Sequence, residues 1–182
     1  MPRSFVFVLV LLMVSLGLNV TLALKVKGMA PHPAPDNKIG IQAAPFTATD
    51  LQGHTTDVSF NIGKPTLIYY IDPQCRWCRA NATNFDILAN ALAQRVRVVI
   101  LSTSTEKMDQ FLADTHPPDN SVLIVKSPEI IRVLGLTATP QTFLVNSAGR
   151  VEHHWVGAYD HQNRTEIEKL FNVHLLDTKA PS

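Results

Sequence analysis

The sequence predicts an α/β fold in which one central, mixed β-sheet is flanked by helices and extended by an N-terminal β-hairpin. Three observations support this prediction. Apolar, strand-like runs alternate with helical patterns through the middle of the chain, as in parallel strands joined by helices. Two strand patterns joined by a short turn precede this region, and two more follow it. Each of these pairs is typical of an antiparallel hairpin.

Turn residues separate the predicted elements. Gly53 lies in the turn of the first hairpin, and a Gly-Lys-Pro run follows that hairpin. A helix follows the third strand, because apolar residues then recur with a period of 3.6. Thr105 is expected to cap the second helix, and Pro128 takes the first position of the third. The predicted order is strands 45–50, 55–60 and 66–71, helix 75–93, strand 96–101, helix 106–113, strand 121–125, helix 128–134, strands 141–146 and 151–156, and helix 165–171.

The N-terminus differs from the rest of the chain. Residues 5–24 are mostly apolar and contain no ionisable side chain, and about 20 such residues are enough to cross a bilayer. We therefore interpret residues 1–24 as a membrane anchor, with a cleaved signal peptide as the alternative. Residues 25–40 contain three prolines and are predicted to form an extended tether. The folded domain is predicted over 41–176, and a disordered tail over 177–182.

The length and composition indicate how many domains the chain can form and which class of partner is not expected. The chain has 182 residues, 46% of them hydrophobic, and a formal net charge of +1. This length and apolar content are enough for one domain with its own core. A nucleic-acid partner is not expected, because a nearly neutral chain without a basic stripe gains little from counterion release.

The chain contains only two cysteines, Cys75 and Cys78, and they lie where a strand pattern gives way to a helix pattern. At the start of a helix, unpaired backbone N–H groups and the helix dipole stabilise a thiolate. We therefore predict a reactive dithiol in which Cys75 is the attacking group and Cys78 lies one turn inward. Arg76 and Arg79 are expected to lower the pKa of Cys75 further.

Two other uses of the cysteine pair remain as alternatives. A structural disulfide is one, although a bridge that closes so short a loop constrains the unfolded chain only weakly. Metal binding is the other, but two cysteines supply half of a tetrahedral site. His153 and His154 form the only adjacent histidine pair, and neighbouring side chains on a strand point to opposite faces. We predict ordinary polar surface there and no metal site.

A second motif, Thr139-Pro140, opens an apolar strand near the end of the chain. Proline cannot donate a ladder hydrogen bond, so it belongs at the first residue of a strand or on an edge. Considered alone, this bond is expected to be trans, because few X–Pro bonds in folded proteins are cis.

Together, the strand–Cys75-x-x-Cys78–helix motif and the Thr139-Pro140 element resemble the thioredoxin superfamily. The chain is most similar to membrane-tethered, extracytoplasmic thiol–disulfide oxidoreductases of the TlpA, ResA and CcmG kind, over about residues 41–171. The resemblance implies a thioredoxin-like fold and a cis Pro140 packed against the cysteines. It also implies that the Thr139 backbone pairs with substrate near Cys75. Substrate contacts are therefore predicted for four residues: Arg76, Trp77, Thr139 and Pro140. Trp77 is expected to be partly exposed, and Trp155 to lie in the core.

The sequence departs from the family pattern at several positions. Gln74 stands where an aromatic residue commonly precedes the first cysteine. Tyr69 replaces a buried acid of cytoplasmic thioredoxins, and Asn81 replaces a glutamate of some tethered relatives. Asp72 is the nearest acid in the sequence and is interpreted as a solvated turn cap. No carboxylate is therefore evident that would accept a proton from Cys78.

The resemblance implies thiol–disulfide exchange with protein disulfides or dithiols, with no cofactor beyond the redox-active pair itself. The expected direction is reduction, for example of apocytochrome c or copper-site proteins, with electrons from a membrane donor. The expected location is the inner membrane facing the periplasm, or the periplasm if the N-terminus is cleaved. An oxidase or isomerase is an alternative, since Thr139 is similar to disulfide isomerases, and a metal-binding chaperone is another. Related peroxiredoxins have Thr or Ser at the position of Asp72, so peroxidase activity is not expected.

Overall fold

A computed structural model of the chain describes residues 8, 11–21, 37–117 and 122–178. The chain divides into two compact units, Met1–Ala34 and Pro35–Ser182. In the first unit, residues 11–21 are helical. Among the described residues, no helix combines the length and apolar character needed to span a membrane. Most of the predicted anchor and tether, and the tail after residue 178, lie outside the described residues, so these assignments and the domain boundaries stay predictions.

The described part of the second unit forms one seven-stranded sheet and four helices. The strands are β1 (Phe46–Thr49), β2 (Thr55–Val58), β3 (Thr66–Ile71), β4 (Arg97–Ser102), β5 (Val122–Ile124), β6 (Gln141–Val145) and β7 (Val151–Val156). The helices are α1 (Arg76–Leu92), α2 (Met108–Thr115), α3 (Pro128–Leu134) and α4 (His161–Phe171). The strand order is β2-β1-β5-β4-β3-β6-β7. Strands β3, β4 and β5 are parallel, and the remaining pairs are antiparallel, which confirms the mixed sheet and the N-terminal hairpin.

Strand β3 lies near the middle of the sheet, and all six of its residues are buried. Because successive side chains of a strand alternate between faces, Tyr69 packs in the core cluster with helices α1, α2 and α4. Tyr70 packs in the other cluster, with α3 and the N-terminal hairpin. Both faces of the sheet are therefore covered at β3. Trp155 is in the first cluster, as predicted.

Helix α2 begins later than the sequence predicted, and Thr105 does not cap it through its side chain. The helix starts at Met108, with Lys107 as a left-handed N-cap residue that makes no side-chain cap bond. Ser104 is the reason, since its hydroxyl accepts a hydrogen bond from the Glu106 N–H at 3.1 Å. This bond closes a separate turn before the helix, and only the Thr105 carbonyl contributes, by accepting from the Met108 N–H.

Helix α4 begins at His161, four residues before the predicted start at Thr165. Its buried residues are Ile167 and Phe171, so the apolar period that predicts a helix is absent from the first turn. That turn is held instead by Asn163, whose amide donates hydrogen bonds to carbonyls at the end of β7 and just after it. Side-chain bonding to the preceding loop thus extends the helix beyond its apolar pattern.

Candidate active site

The turn between β3 and α1 places Cys75 at the start of the helix. The Asp72 carboxylate accepts a hydrogen bond from the Gln74 N–H at 2.7 Å, and the Asp72 carbonyl accepts from the Cys75 N–H at 3.0 Å. Asp72 is therefore the turn cap that the sequence predicted. Cys75 is the N-cap of α1, and its Sγ accepts a hydrogen bond from the Cys78 N–H at 3.2 Å. Both cysteines are free, with Cys78 buried and Cys75 half-buried.

The Thr139-Pro140 element directly precedes β6, the strand next to β3, and lies beside this turn. The Thr139–Pro140 peptide bond is cis, as the family resemblance implied. The Thr139 carbonyl oxygen lies 3.5 Å from the Cys75 Sγ, so it can accept a hydrogen bond from Cys75 only while that thiol is protonated. Trp77, between the cysteines, is 40% exposed, and Arg76 is exposed beside it. The structure thus brings Thr139 to Cys75, while the substrate contacts assigned to Arg76, Trp77, Thr139 and Pro140 stay predictions.

The two thiols differ strongly in acidity. The pKa of Cys75 is lowered to about 6, chiefly by a hydrogen bond from the Cys78 thiol. The Thr139 side chain and the backbone N–H groups of Cys78 and Trp77 add to this lowering, and burial opposes it. Burial raises the pKa of Cys78 far above its ordinary range, and the neighbouring Cys75 raises it further. At neutral pH, Cys75 is therefore a thiolate and Cys78 a thiol.

The predicted effect of the two arginines on the Cys75 pKa stays a prediction, and Arg79 has partners elsewhere. Neither Arg76 nor Arg79 is among the main causes that lower the pKa of Cys75. Arg79 donates a hydrogen bond to the Pro73 carbonyl at 3.1 Å, and its Nε lies 3.8 Å from the Asp114 carboxylate. The Arg79 guanidinium thus interacts with the Pro73 carbonyl in the turn and with the Asp114 carboxylate on α2. Arg79 links the cysteine turn to α2.

Alkylation of Cys75 is expected to follow the thiolate fraction, with a midpoint near pH 6 because its pKa is about 6. The rate of reaction with iodoacetamide should rise through this pH and level off near neutrality, and mass spectrometry should locate the label on Cys75. Cys78→Ala removes the largest cause of the lowered pKa, so the midpoint should move upward. A midpoint near the ordinary thiol value of about 8.5 in the unchanged protein would contradict this assignment.

A neutral hydrogen-bonded network lies in the core around the cysteines. It includes the two positions, 69 and 81, at which the sequence departs from the carboxylates of relatives. The Asn81 amide donates to the Tyr69 hydroxyl at 3.0 Å and accepts from the Tyr159 N–H at 2.7 Å. Burial raises the pKa of Tyr69 well above its ordinary value. Tyr69 and Asn81 are therefore uncharged side chains that form a hydrogen bond with each other.

The environment of His154 was not predicted from the sequence, which indicated ordinary polar surface there. This assignment was wrong, because the ring stacks on Phe143 with centroids 4.4 Å apart and its Nε2 lies 2.9 Å from the Gln141 Oε1. Gln141 is fully buried at the start of β6. One signal was available in the sequence. A glutamine that opens an apolar strand must find partners for its amide, and the facing strand carries two histidines.

His153 and His154 do point to opposite faces, as predicted. His153 stacks on Trp155 with ring centroids 5.3 Å apart, while His154 packs on Phe143. Within the described ranges, no group of three or more His, Cys, Asp or Glu side chains is arranged to hold a metal ion.

Comparison with known proteins agrees with this geometry. Residues 39–154, which contain both cysteines and Thr139-Pro140, match the AhpC/TSA family. The chain belongs to the AhpC/TSA family. This AhpC/TSA chain is also similar to the thiol:disulfide interchange protein DsbE from two strains of Xylella fastidiosa, Temecula1 and 9a5c. Each is 32% identical over 135 residues, which cover 71% of this chain and 62% of the relative. The chain therefore spans less than two thirds of the relatives' length.

Solved structures confirm the thioredoxin-like fold. A thioredoxin domain of a thiol-disulfide oxidoreductase from Bacteroides vulgatus has a TM-score of 0.60 at 18% identity, covering 74% of this chain and 98% of that one. A putative DsbE from Chlorobium tepidum has a TM-score of 0.58 at 21% identity, covering 76% and 96%. A secreted Mycobacterium tuberculosis disulfide oxidoreductase has a TM-score of 0.57 at 21% identity, covering 70% and 94%. The predicted thioredoxin-like fold is thus confirmed for this AhpC/TSA chain.

Proposed function

We propose that the protein is a thiol–disulfide oxidoreductase that exchanges disulfides with other proteins through Cys75 and Cys78. The observation that supports this most strongly is the pairing of a thiolate at the start of α1 with a buried thiol one turn inward. An exposed acidic thiol attacks a substrate, and a second thiol beside it releases the product. The similarity to the Xylella thiol:disulfide interchange proteins supports the same chemistry.

The exchange takes place in two steps. The Cys75 thiolate attacks one sulfur of a substrate disulfide, so that a mixed disulfide forms and the other substrate sulfur leaves as a thiolate. Cys78 then loses its proton and attacks the Cys75 Sγ, which releases the second substrate sulfur. The substrate gains two electrons from the cysteine pair, and its two sulfurs take up the proton released by Cys78 and one proton from solvent, while Cys75 and Cys78 become a disulfide.

We further propose that the protein works in the reducing direction outside the cytoplasm. The resemblance to tethered oxidoreductases supports this direction, with apocytochrome c or copper-site proteins as substrates and a membrane donor that returns electrons to the Cys75–Cys78 disulfide. Residues 1–24 would direct export, as an anchor or as a cleaved signal. Reduction of peroxides is not part of the proposal. Asp72, at the position of the peroxiredoxin Thr or Ser, has its carboxylate bonded to the Gln74 N–H.

A redox titration of the full chain tests this function and its direction. We expect a reversible two-electron couple in graded glutathione or dithiothreitol buffers, reported by Trp77 fluorescence and by thiol alkylation. The pKa of Cys75, about 6, lies between those of thioredoxin, about 7, and DsbA, about 3.5. The potentials of these two proteins, about −270 and −120 mV, are the reference values for the measurement.

The measured potential, compared with these two values, indicates the direction of the reaction. A value toward the thioredoxin end would support a reductase, and a value toward the DsbA end would favour an oxidase or isomerase. The absence of any reversible couple would overturn the proposed function.

A further inference from the structure

Gln141 fixes the shape of the loop that leads to Thr139. It follows Pro140 directly, and its side chain is completely buried. Both N–H groups of its amide are used, since Nε2 donates to the Ala138 carbonyl at 2.8 Å and to the Gly135 carbonyl at 3.0 Å. A buried amide with both donors bonded to one loop holds that loop in a single arrangement.

His154 fixes the orientation of this amide. Its Nε2 lies 2.9 Å from the Gln141 Oε1, and its Nδ1 accepts a hydrogen bond from the Lys38 backbone N–H at 3.3 Å. Because Nδ1 is the acceptor, the proton is on Nε2, which donates to Gln141. Burial and the Lys38 charge lower the pKa of His154 to about 4, so the ring is neutral near pH 7. Stacking on Phe143 fixes the orientation of the His154 ring.

The segment before β1 completes this chain of contacts. Gly40 donates its N–H to the Val151 carbonyl at 2.8 Å, and the Val151 N–H donates to Ile41 at 3.0 Å, so the segment is attached beside β7. The Lys38 side chain lies against Gly135, where an added Cβ would be 2.5 Å from the lysine Cε. Lys38 therefore touches the loop at Gly135, and its backbone holds the ring that orients Gln141.

We propose that His154 and Gln141 are positioning residues that hold the Thr139 carbonyl against Cys75. This inference rests on the proposed function and deepens it. Neither side chain contacts Cys75. They act through the Ala138 carbonyl, one residue before the Thr139 carbonyl that lies 3.5 Å from the Cys75 Sγ. A substrate that pairs with the Thr139 backbone would therefore bind less well when this support is lost. The acidity of Cys75 would change little, because Cys78 and not Thr139 is the largest cause of its low pKa.

The test uses three variants of the full chain in insulin reduction, with dithiothreitol as the electron source. His154→Ala removes the N–H that donates to the Gln141 Oε1. His154→Gln keeps a side-chain N–H donor at a similar distance from the backbone. His153→Ala is the matched control, because its ring lies on the opposite face against Trp155. Alkylation of Cys75 by iodoacetamide reports, in parallel, whether the thiolate and its surroundings are intact.

For His154→Ala we expect KM to rise about tenfold, the effect of losing one hydrogen bond. The values of kcat and of the Cys75 alkylation rate should stay within about twofold, and His154→Gln should recover most of the KM. An unchanged KM in His154→Ala would overturn the inference, and so would an equal rise in His153→Ala, or a parallel fall in alkylation. No insulin reduction by the unchanged protein would instead overturn the proposed function, and this inference with it.

Discussion

Replacing Cys75 with serine is expected to abolish insulin reduction, with a loss of at least about 10³-fold, because the thiolate and not the thiol is the nucleophile. A serine hydroxyl stays protonated at neutral pH, whereas the pKa of Cys75 is about 6. The fold should survive, since serine is a favourable N-cap residue and can accept the bond that Cys75 accepts from the Cys78 N–H. The measurement is steady-state reduction with dithiothreitol, alongside a thermal unfolding curve.

Cys78→Ser is the informative partner of this variant. It keeps the attacking thiolate and removes the group that releases the product, so a mixed disulfide between Cys75 and the substrate should accumulate. Mass spectrometry under non-reducing conditions should detect this adduct in Cys78→Ser and not in Cys75→Ser. Full activity in Cys75→Ser would rule out the proposed enzyme, and an adduct at Cys78 would reverse the assigned roles.

The acidity of Cys78 suggests how the second step becomes possible without a nearby carboxylate. Its pKa is raised first by burial and then by the hydrogen bond and charge of Cys75. Once Cys75 is part of a mixed disulfide, its negative charge is gone, so that part of the elevation disappears. Burial remains, and the pKa of Cys78 should therefore fall on formation of the mixed disulfide while staying above that of a solvated thiol.

Local sequence predicted the elements that carry the cysteines because their signals are local. The β3 bounds were predicted without error, and α1 begins one residue after its predicted start. An apolar run and a helical period need no knowledge of distant residues. Helix α2 was displaced by two residues because the Ser104 hydroxyl closes an additional turn. Such a bond depends on side-chain geometry that periodicity does not contain.

Contacts between distant residues were the harder part of the site to predict. The cis Thr139–Pro140 bond followed from family resemblance, whereas the Thr139-Pro140 motif alone favoured trans. Strand alternation predicted that His154 points away from His153, but not what covers its ring. That cover includes Lys38, 116 residues earlier in the chain. At positions 69 and 81 the sequence indicated only that carboxylates are missing, and it did not predict the hydrogen bond between Tyr69 and Asn81.

Asn81→Ala is expected to lower the free energy of unfolding by about 3 kcal/mol, since a buried polar group left without a partner costs about 1–3 kcal/mol. Asn81 is completely buried on α1. It is the donor to the Tyr69 hydroxyl and the acceptor for the Tyr159 N–H. Its removal leaves two buried groups unpaired and a small cavity. Urea unfolding of the reduced protein measures this loss.

Asn90→Ala is the matched control for this prediction, because Asn90 is exposed on the same helix and its replacement should change stability by about 0.5 kcal/mol or less. Tyr69→Phe removes only the hydroxyl and should cost about 1 kcal/mol. In the double variant, the two losses should not add, because both remove the same bond, and a coupling of about 0.5–3 kcal/mol is expected for residues in one network. Strictly additive losses would mean that the Tyr69–Asn81 bond contributes nothing. The two replacements would then be independent core substitutions and not a neutral pair that takes the place of a buried charge.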